Sequence, residues 1–194
     1  MKMLKRQWET FKAKSLWGKF TDLLFVGFIV MVLLPDGRIF FQRAILATGL
    51  FSRLDVNTEE ALSPAELNMA LVDADGQALT LADFVDRPVF LNYWATWCPP
   101  CNAEMPSIID AMQALEDEVH FVLVTAEDPA VVEPFLVRKA WDIPVYYLAS
   151  QPQGALQYNS LPTSLVINGR GIVIHRSEGM RNWSSDAMLE LLKE

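Results

Sequence analysis

Cys98 and Cys101 are the only cysteines in a chain of 194 residues, and two prolines separate them. They lie in Trp97-Cys98-Pro99-Pro100-Cys101, between an apolar run at 88–95 and a segment of helical periodicity. This spacing closes a small disulfide ring across the first turn of a helix. A helix N-terminus offers unpaired N–H groups and the positive end of the backbone dipole, and both stabilise a thiolate on the first cysteine. The chemistry that suits such a pair is dithiol–disulfide exchange. A structural zinc site needs four ligands, and the other ligands of the usual type, His120 and His175, fall in two separate strand-like stretches, so no metal is expected. A bridge closing so short a loop also stabilises little, which weighs against a purely structural disulfide. Both histidines read as ordinary strand residues.

The elements that must position the pair follow from periodicity. Residues 88–95 (PVFLNYWA) are almost continuously apolar, as in a strand buried on both faces. After Cys101, the recurrence of Met105, Ile108, Ile109, Met112 and Leu115 predicts a helix. Residues 119–125 predict a second central strand, and Asp128-Pro129 starts a helix, with Pro134 as a later possible start. Strands are expected at 67–72, followed by an Asp75-Gly76 turn, and at 145–149. Segments 164–168 and 172–176 flank Gly169-Arg170-Gly171 as a hairpin, and Ser184 is a candidate cap for a C-terminal helix striped by Met188, Leu191 and Leu192. Alternating strands and helices give an α/β or α+β domain.

Charge divides the chain. Residues 1–53 carry nine Lys and Arg against three acids, a net +6, and the remainder carries −14 of the overall −8. An acidic body argues against nucleic-acid binding, and 52% hydrophobic residues suffice for a sizeable core. Six basic residues precede Asp22, and residues 23–34 (LLFVGFIVMVLL) are unbroken by any polar group. Twelve helical residues rise about 18 Å against a hydrocarbon core of about 30 Å. Extending back to Leu16 gives 19 residues, with Lys19 snorkelling to the headgroups, Asp22 able to pair with it, and Trp17 at the interface. Small residues suited to signal-peptide cleavage are not well placed after the run. The expected organisation is a basic cytoplasmic N-terminus (1–15), a transmembrane anchor (16–34), a membrane-proximal amphipathic segment and linker (35–62), and a folded domain (63–194). The positive-inside rule sets the orientation.

Residues 93–101, Tyr-Trp-Ala-Thr-Trp-Cys-Pro-Pro-Cys, resemble the active site of the thioredoxin fold, and specifically that of the TlpA/ResA-like membrane-anchored thiol–disulfide oxidoreductases. Further features agree in order over residues 64–194. Pro106 matches the proline that kinks the active-site helix, Leu161-Pro162-Thr163 the cis-proline loop facing the disulfide, Gly179 a glycine of the active-site surface, and Glu104 an acid that modulates the cysteines. Asn92 stands where thioredoxin itself has a buried acid, so proton handling must use water or another group such as Glu104.

The resemblance implies a thioredoxin-like central mixed sheet flanked by helices and preceded by one membrane-anchor helix. It implies catalysis by Cys98 as the exposed attacking thiol and Cys101 as the resolving one, in surroundings formed by Trp97, Pro99, Pro100 and Glu104. Leu161, Pro162, Thr163 and Gly179 would bind substrate. Implied partners are protein disulfides or dithiols, a transmembrane thiol electron donor and the membrane. The implied location is the bacterial inner membrane, single-pass, with the catalytic domain periplasmic. No cofactor is expected beyond the redox-active disulfide. Three other readings are an oxidant, a copper-handling thioredoxin-fold protein and a peroxidase. The copper type calls for Cys-x-x-x-Cys, one residue longer than the spacing here, and the peroxidase for Thr-x-x-Cys, whereas Thr96 lies two before Cys98.

Overall fold

A computed structural model describes residues 20–27, 53–56 and 59–194. The chain divides into two units, Met1–Ala44 and Ile45–Glu194. In the first, residues 20–27 are helical, with Phe20, Leu23, Leu24, Phe25 and Val26 exposed. No helix among the described residues is long and apolar enough to cross a membrane. Most of the anchor expected over 16–34 lies outside the described residues, as do the basic N-terminus and most of the amphipathic segment.

The second unit is built on a mixed sheet. Its strands are β1 (Arg53–Val56), β2 (Glu60–Ala61), β3 (Ala70–Val72), β4 (Ala78–Thr80), β5 (Val89–Tyr93), β6 (His120–Thr125), β7 (Val145–Leu148), β8 (Thr163–Ile167) and β9 (Ile172–Glu178). Among the described residues the order is β1-β9-β8-β5-β6-β7-β3-β4, with β2 also on β9. β5 runs parallel to β6, and β6 to β7, while β8 is antiparallel to both β5 and β9. Helices are α1 (Pro64–Leu67), α2 (Pro99–Ala114), α3 (Pro129–Lys139) and α4 (Asp186–Leu192).

All five residues of β5 are buried, and strand alternation sends them to two different cores. Phe90 and Trp94 pack with Met105, Ile108 and Ala111 of α2. Val89, Leu91 and Tyr93 pack on the other face with Leu71, Leu81 and Leu156. α2 begins where Cys98 occupies the N-cap and prolines fill the first two helical positions, which lack intrahelical N–H bonds anyway. Pro106 lies within the same helix, where it removes one rung of the hydrogen-bond ladder. α3 starts at Asp128, whose Oδ1 accepts from Ala130 N–H at 2.8 Å, so Pro134 sits inside the helix and does not open it.

Three expectations shift. The stretch before residue 63, read as segment and linker, contributes β1 and β2 to the sheet edge. The strand expected at 67–72 is shortened to β3 because Ser63 and Glu66 form a capping box that winds 64–67 into a helical turn. α4 is capped at Ser185 instead of Ser184, whose hydroxyl donates to Asn182 Oδ1 at 3.0 Å.

Ile108 is fully buried between α2 and the sheet. Ile108→Ala should cost about 2–5 kcal/mol of unfolding free energy, measured as a lowered urea midpoint at unchanged slope.

Candidate active site

The two cysteines are joined in a disulfide with Cα atoms 5.3 Å apart. Cys101 N–H donates to Cys98 Sγ at 3.2 Å, so a first-turn amide of α2 is aimed at that sulfur. The same donor favours negative charge there once the bond opens. Cys98 was expected to be exposed. It is only 3% exposed, Cys101 is fully covered, and the exposed members of the motif are Trp97, at 69%, and Pro99. Cys98 nevertheless lines a cleft of about 680 Å³ together with Trp94, Trp97, Pro99 and Pro100, and Cys101 does not. Access is therefore unequal even though both residues are buried.

The opposite wall comes from the start of β8. The Leu161–Pro162 peptide bond is cis. Leu161 lines the cleft, whereas Pro162 and Thr163 are buried behind it. Thr163 Oγ1 donates to the Ser160 carbonyl at 2.8 Å, and Gly179 N–H donates to the Pro162 carbonyl at 2.8 Å. Gly179 has φ +86°, a conformation open to glycine. Of the four residues expected to bind substrate, one lines the cleft and three hold it in place.

Glu104 is 1% exposed on the buried side of α2. Its Oε1 accepts from Asn92 Nδ2 at 2.9 Å and its Oε2 from Arg181 N–H at 3.1 Å. Asn92 also donates to Ser164 Oγ at 2.9 Å, tying α2 to β5 and β8. Burial outweighs these donors and pushes the carboxyl up to about 8. Asn92, at the position of the thioredoxin acid, thus donates to a carboxyl of the next element.

Sequence reasoning missed the cleft's third wall. Glu127, directly after β6, clamps the loop ahead of the cysteines by accepting from Thr96 N–H at 2.6 Å and Thr96 Oγ1 at 2.7 Å. Asn102 Nδ2 holds the same loop through the Thr96 carbonyl at 2.9 Å. Ala95, Ala126, Tyr158, Asn159 and Ser160 complete the lining, and Tyr158 stacks on buried Tyr93 at 4.2 Å between centroids. A signal for Ala126 and Glu127 existed. Loops after the carboxyl ends of adjacent parallel strands converge on one crevice, and 95–98 and 126–127 follow β5 and β6. The histidines stay out of the cleft: His120 Nε2 lies 2.8 Å from Asp86 Oδ1, and the His175 ring packs edge-on against Trp183.

The redoxin family profile matches residues 56–191. The chain belongs to the redoxin family. Among its relatives are thiol–disulfide oxidoreductases named ResA. The one from Bacillus cereus is 28% identical over 172 residues, covering 86% of this chain and 93% of that one. The one from Bacillus thuringiensis subsp. konkukian is 30% identical over 133 residues, covering 66% and 74%. A thioredoxin-family thiol:disulfide interchange protein from Chlorobium tepidum has the same fold, with a TM-score of 0.57 at 21% identity over 72% of this chain and all of that one. Family and Cys-x-x-Cys pair together make this redoxin a thiol–disulfide oxidoreductase of the ResA/TlpA-like kind.

Glu104 sets a pH dependence. With its pKa raised from 4.5 to about 8, the folded chain keeps a proton that the unfolded chain releases in between. Stability is therefore fully present below about pH 4.5 and is lost as the pH rises toward 8, by at most about 1.4 kcal/mol per unit. Glu104→Gln should flatten that decline and gain on the wild type between pH 5 and pH 8, measured by paired urea titrations. An unchanged difference across the range would show that Glu104 is already charged in the fold.

Proposed function

We propose that this chain is a membrane-tethered disulfide reductase acting on protein disulfides outside the cytoplasm. The observation that carries the reading is the unequal placement of the two sulfurs. Cys98 lines an open cleft with the Cys101 amide directed at its Sγ, while Cys101 lies behind it. In the reduced enzyme the Cys98 thiolate attacks one sulfur of a substrate disulfide. The substrate S–S bond breaks, a mixed disulfide forms, and the leaving thiolate takes a proton. The Cys101 thiolate then attacks Cys98 Sγ, the mixed bond breaks, and the substrate leaves as a dithiol. Two electrons pass to the substrate and Cys98–Cys101 becomes the disulfide. A second dithiol must reduce it again. NADPH-linked systems are cytosolic, so a transmembrane thiol carrier is the donor that fits this location.

Trp97, Pro99 and Pro100 form the rim on which the substrate lands, and Leu161 receives its extended backbone beside Cys98. Pro162, Thr163 and Gly179 fix the Leu161 wall. Glu104, uncharged below about pH 8, is the group nearest in character to the proton-holding acid that Asn92 replaces. The net −14 of residues 54–194 suits basic partners, among them apocytochromes undergoing maturation. The tether is supported by six basic residues before Asp22, by the apolar run after it, and by the exposed side chains of the helical segment 20–27. This orientation leaves the N-terminus in the cytoplasm and the domain in the periplasm.

Cys101→Ser should accumulate mixed disulfides through Cys98, and Cys98→Ser should not, read by mass spectrometry of thiol-trapped extracts. Adducts on Cys101 would reverse the two roles. The potential of the pair should lie near the thioredoxin value of about −270 mV, and one of about −120 mV would make the protein a dithiol oxidant instead of a reductant. N-terminal sequencing of the membrane fraction should return a start ahead of the apolar run at 23–34. A mature start beyond Leu34 would remove the tether.

A further inference from the structure

The Cys98 cleft has a neighbour. A second cavity of about 640 Å³ shares Ala126, Tyr158 and Asn159 with it, and continues away from the sulfurs to Ser150, Gln151 and Gln157. Its lining carries no charged side chain. Chain order fixes the direction. Leu161 stands at the cysteine end, Asn159 and Tyr158 between the two cavities, and Gln157 at the far end.

The turn that leads into the shared wall is held from behind. Glu66 Oε1 accepts from Ala155 N–H at 2.6 Å, while Arg176 donates to the Ala155 carbonyl at 3.1 Å and to the Gln157 carbonyl at 2.6 Å. An acid and a base from two different elements therefore grip both sides of the turn at 154–157. Gly154 has φ +53°, and any Cβ there would overlap the Glu66 carboxylate. Tyr158, next in the chain, is fixed by its stack on Tyr93. A buried acid and a half-buried base spent on a turn that touches neither cysteine need a reason, and the second cavity, which Gln157 of that turn lines, supplies one.

We infer that the two cavities form one substrate groove, in which the second is a subsite for the polypeptide flanking the cysteine under attack, selective for uncharged polar residues. The inference rests on the reading of the first cleft as the thiol–disulfide exchange site. An extended chain leaving Cys98 along 161–157 advances about 3.3 Å per residue, so a flank of three or four residues spans the shared wall. The amides of Gln151, Gln157 and Asn159 each offer a donor and an acceptor, which matches peptide groups and Ser, Asn or Gln side chains. A charged flank would be partly desolvated there with no counter-charge to meet it. A small-molecule disulfide uses the first cavity alone.

The test compares disulfide-closed Cys-Ala-Ala-Cys peptides with and without a four-residue flank, reduced by the full chain in detergent with excess dithiothreitol as the dithiol that re-reduces Cys98–Cys101, and read as kcat/KM after subtraction of the rate without protein. The flank is Ser-Gln-Asn-Ser, Ser-Lys-Lys-Ser or Ser-Asp-Asp-Ser, placed on either end. The polar flank should raise kcat/KM roughly tenfold, the worth of about two ordinary hydrogen bonds, from one end only. The charged flanks should gain little. Gln151→Trp, which fills the second cavity, should abolish the gain and leave the unflanked peptide within about twofold. Gln151→Lys should transfer the gain to the Asp flank. The subsite is overturned if no flank helps, if all flanks or both ends help equally, if the gain survives Gln151→Trp, or if Gln151→Lys leaves flank preference unchanged. Failure to reduce the unflanked peptide overturns the proposed function and the subsite together, whereas reduction without a flank effect overturns the subsite alone.

Discussion

The register between β5 and β8 is the constraint on which the site depends. Tyr93 lies opposite Thr163 and Asn92 opposite Ser164. One step beyond Tyr93 the chain turns toward the cysteines, and one step before Thr163 stands Pro162. A single antiparallel pairing thus brings the Cys98 loop and the Leu161 wall to the same end of the sheet. Parallel pairing of Tyr93 with Val124 adds the Glu127 loop. Side chains alternate along a strand, so a slip of one residue would exchange the two faces of β5. Leu91 and Tyr93 would meet Glu104, and Asn92 would be driven into the apolar core beneath the sheet. Burial of all five β5 residues makes that slip expensive.

Polar groups carry the remaining precision. Glu104, Asn92, Ser164 and the Arg181 amide join α2, β5, β8 and the loop after β9 through directed bonds in an otherwise apolar layer. A carboxyl so placed stays protonated over most of the neutral range because burial makes ionisation cost more than its hydrogen-bond donors return. Glu127 does for the Thr96 loop through its carboxylate what Gly179 does for Pro162 through its backbone N–H, and neither bonds to a sulfur. The arrangement is rigid at the walls and open in the middle, which suits a reaction whose other partner is a polypeptide.

Local signals in the chain were enough for most elements. The unbroken apolar run predicted β5, the 3–4 spacing from Met105 to Leu115 predicted α2, and Asp128-Pro129 predicted α3. Errors arose where a local polar contact overrode the pattern. The Ser63–Glu66 capping box turned the start of an expected strand into a helical turn, and Asn182 engaged the serine expected to cap α4. β1 and β2 were hidden because short edge strands need few apolar residues, and their partner β9 is more than 100 positions away.

By itself, the sequence determined the chemistry. Two cysteines at helix-turn spacing after a buried strand specify a redox pair, because spacing, dipole and thiol reactivity are all local properties. The family pattern added which residues surround it. Tertiary structure alone decided what the pair faces. That Cys98 is covered yet lines the cleft, that Thr163 and Gly179 support the wall without lining it, and that Glu127 and Tyr158 belong to the site all follow from pairings across dozens of residues. No single-chain periodicity encodes those distances, since they are set by sheet order and by which side chains the core has room to bury.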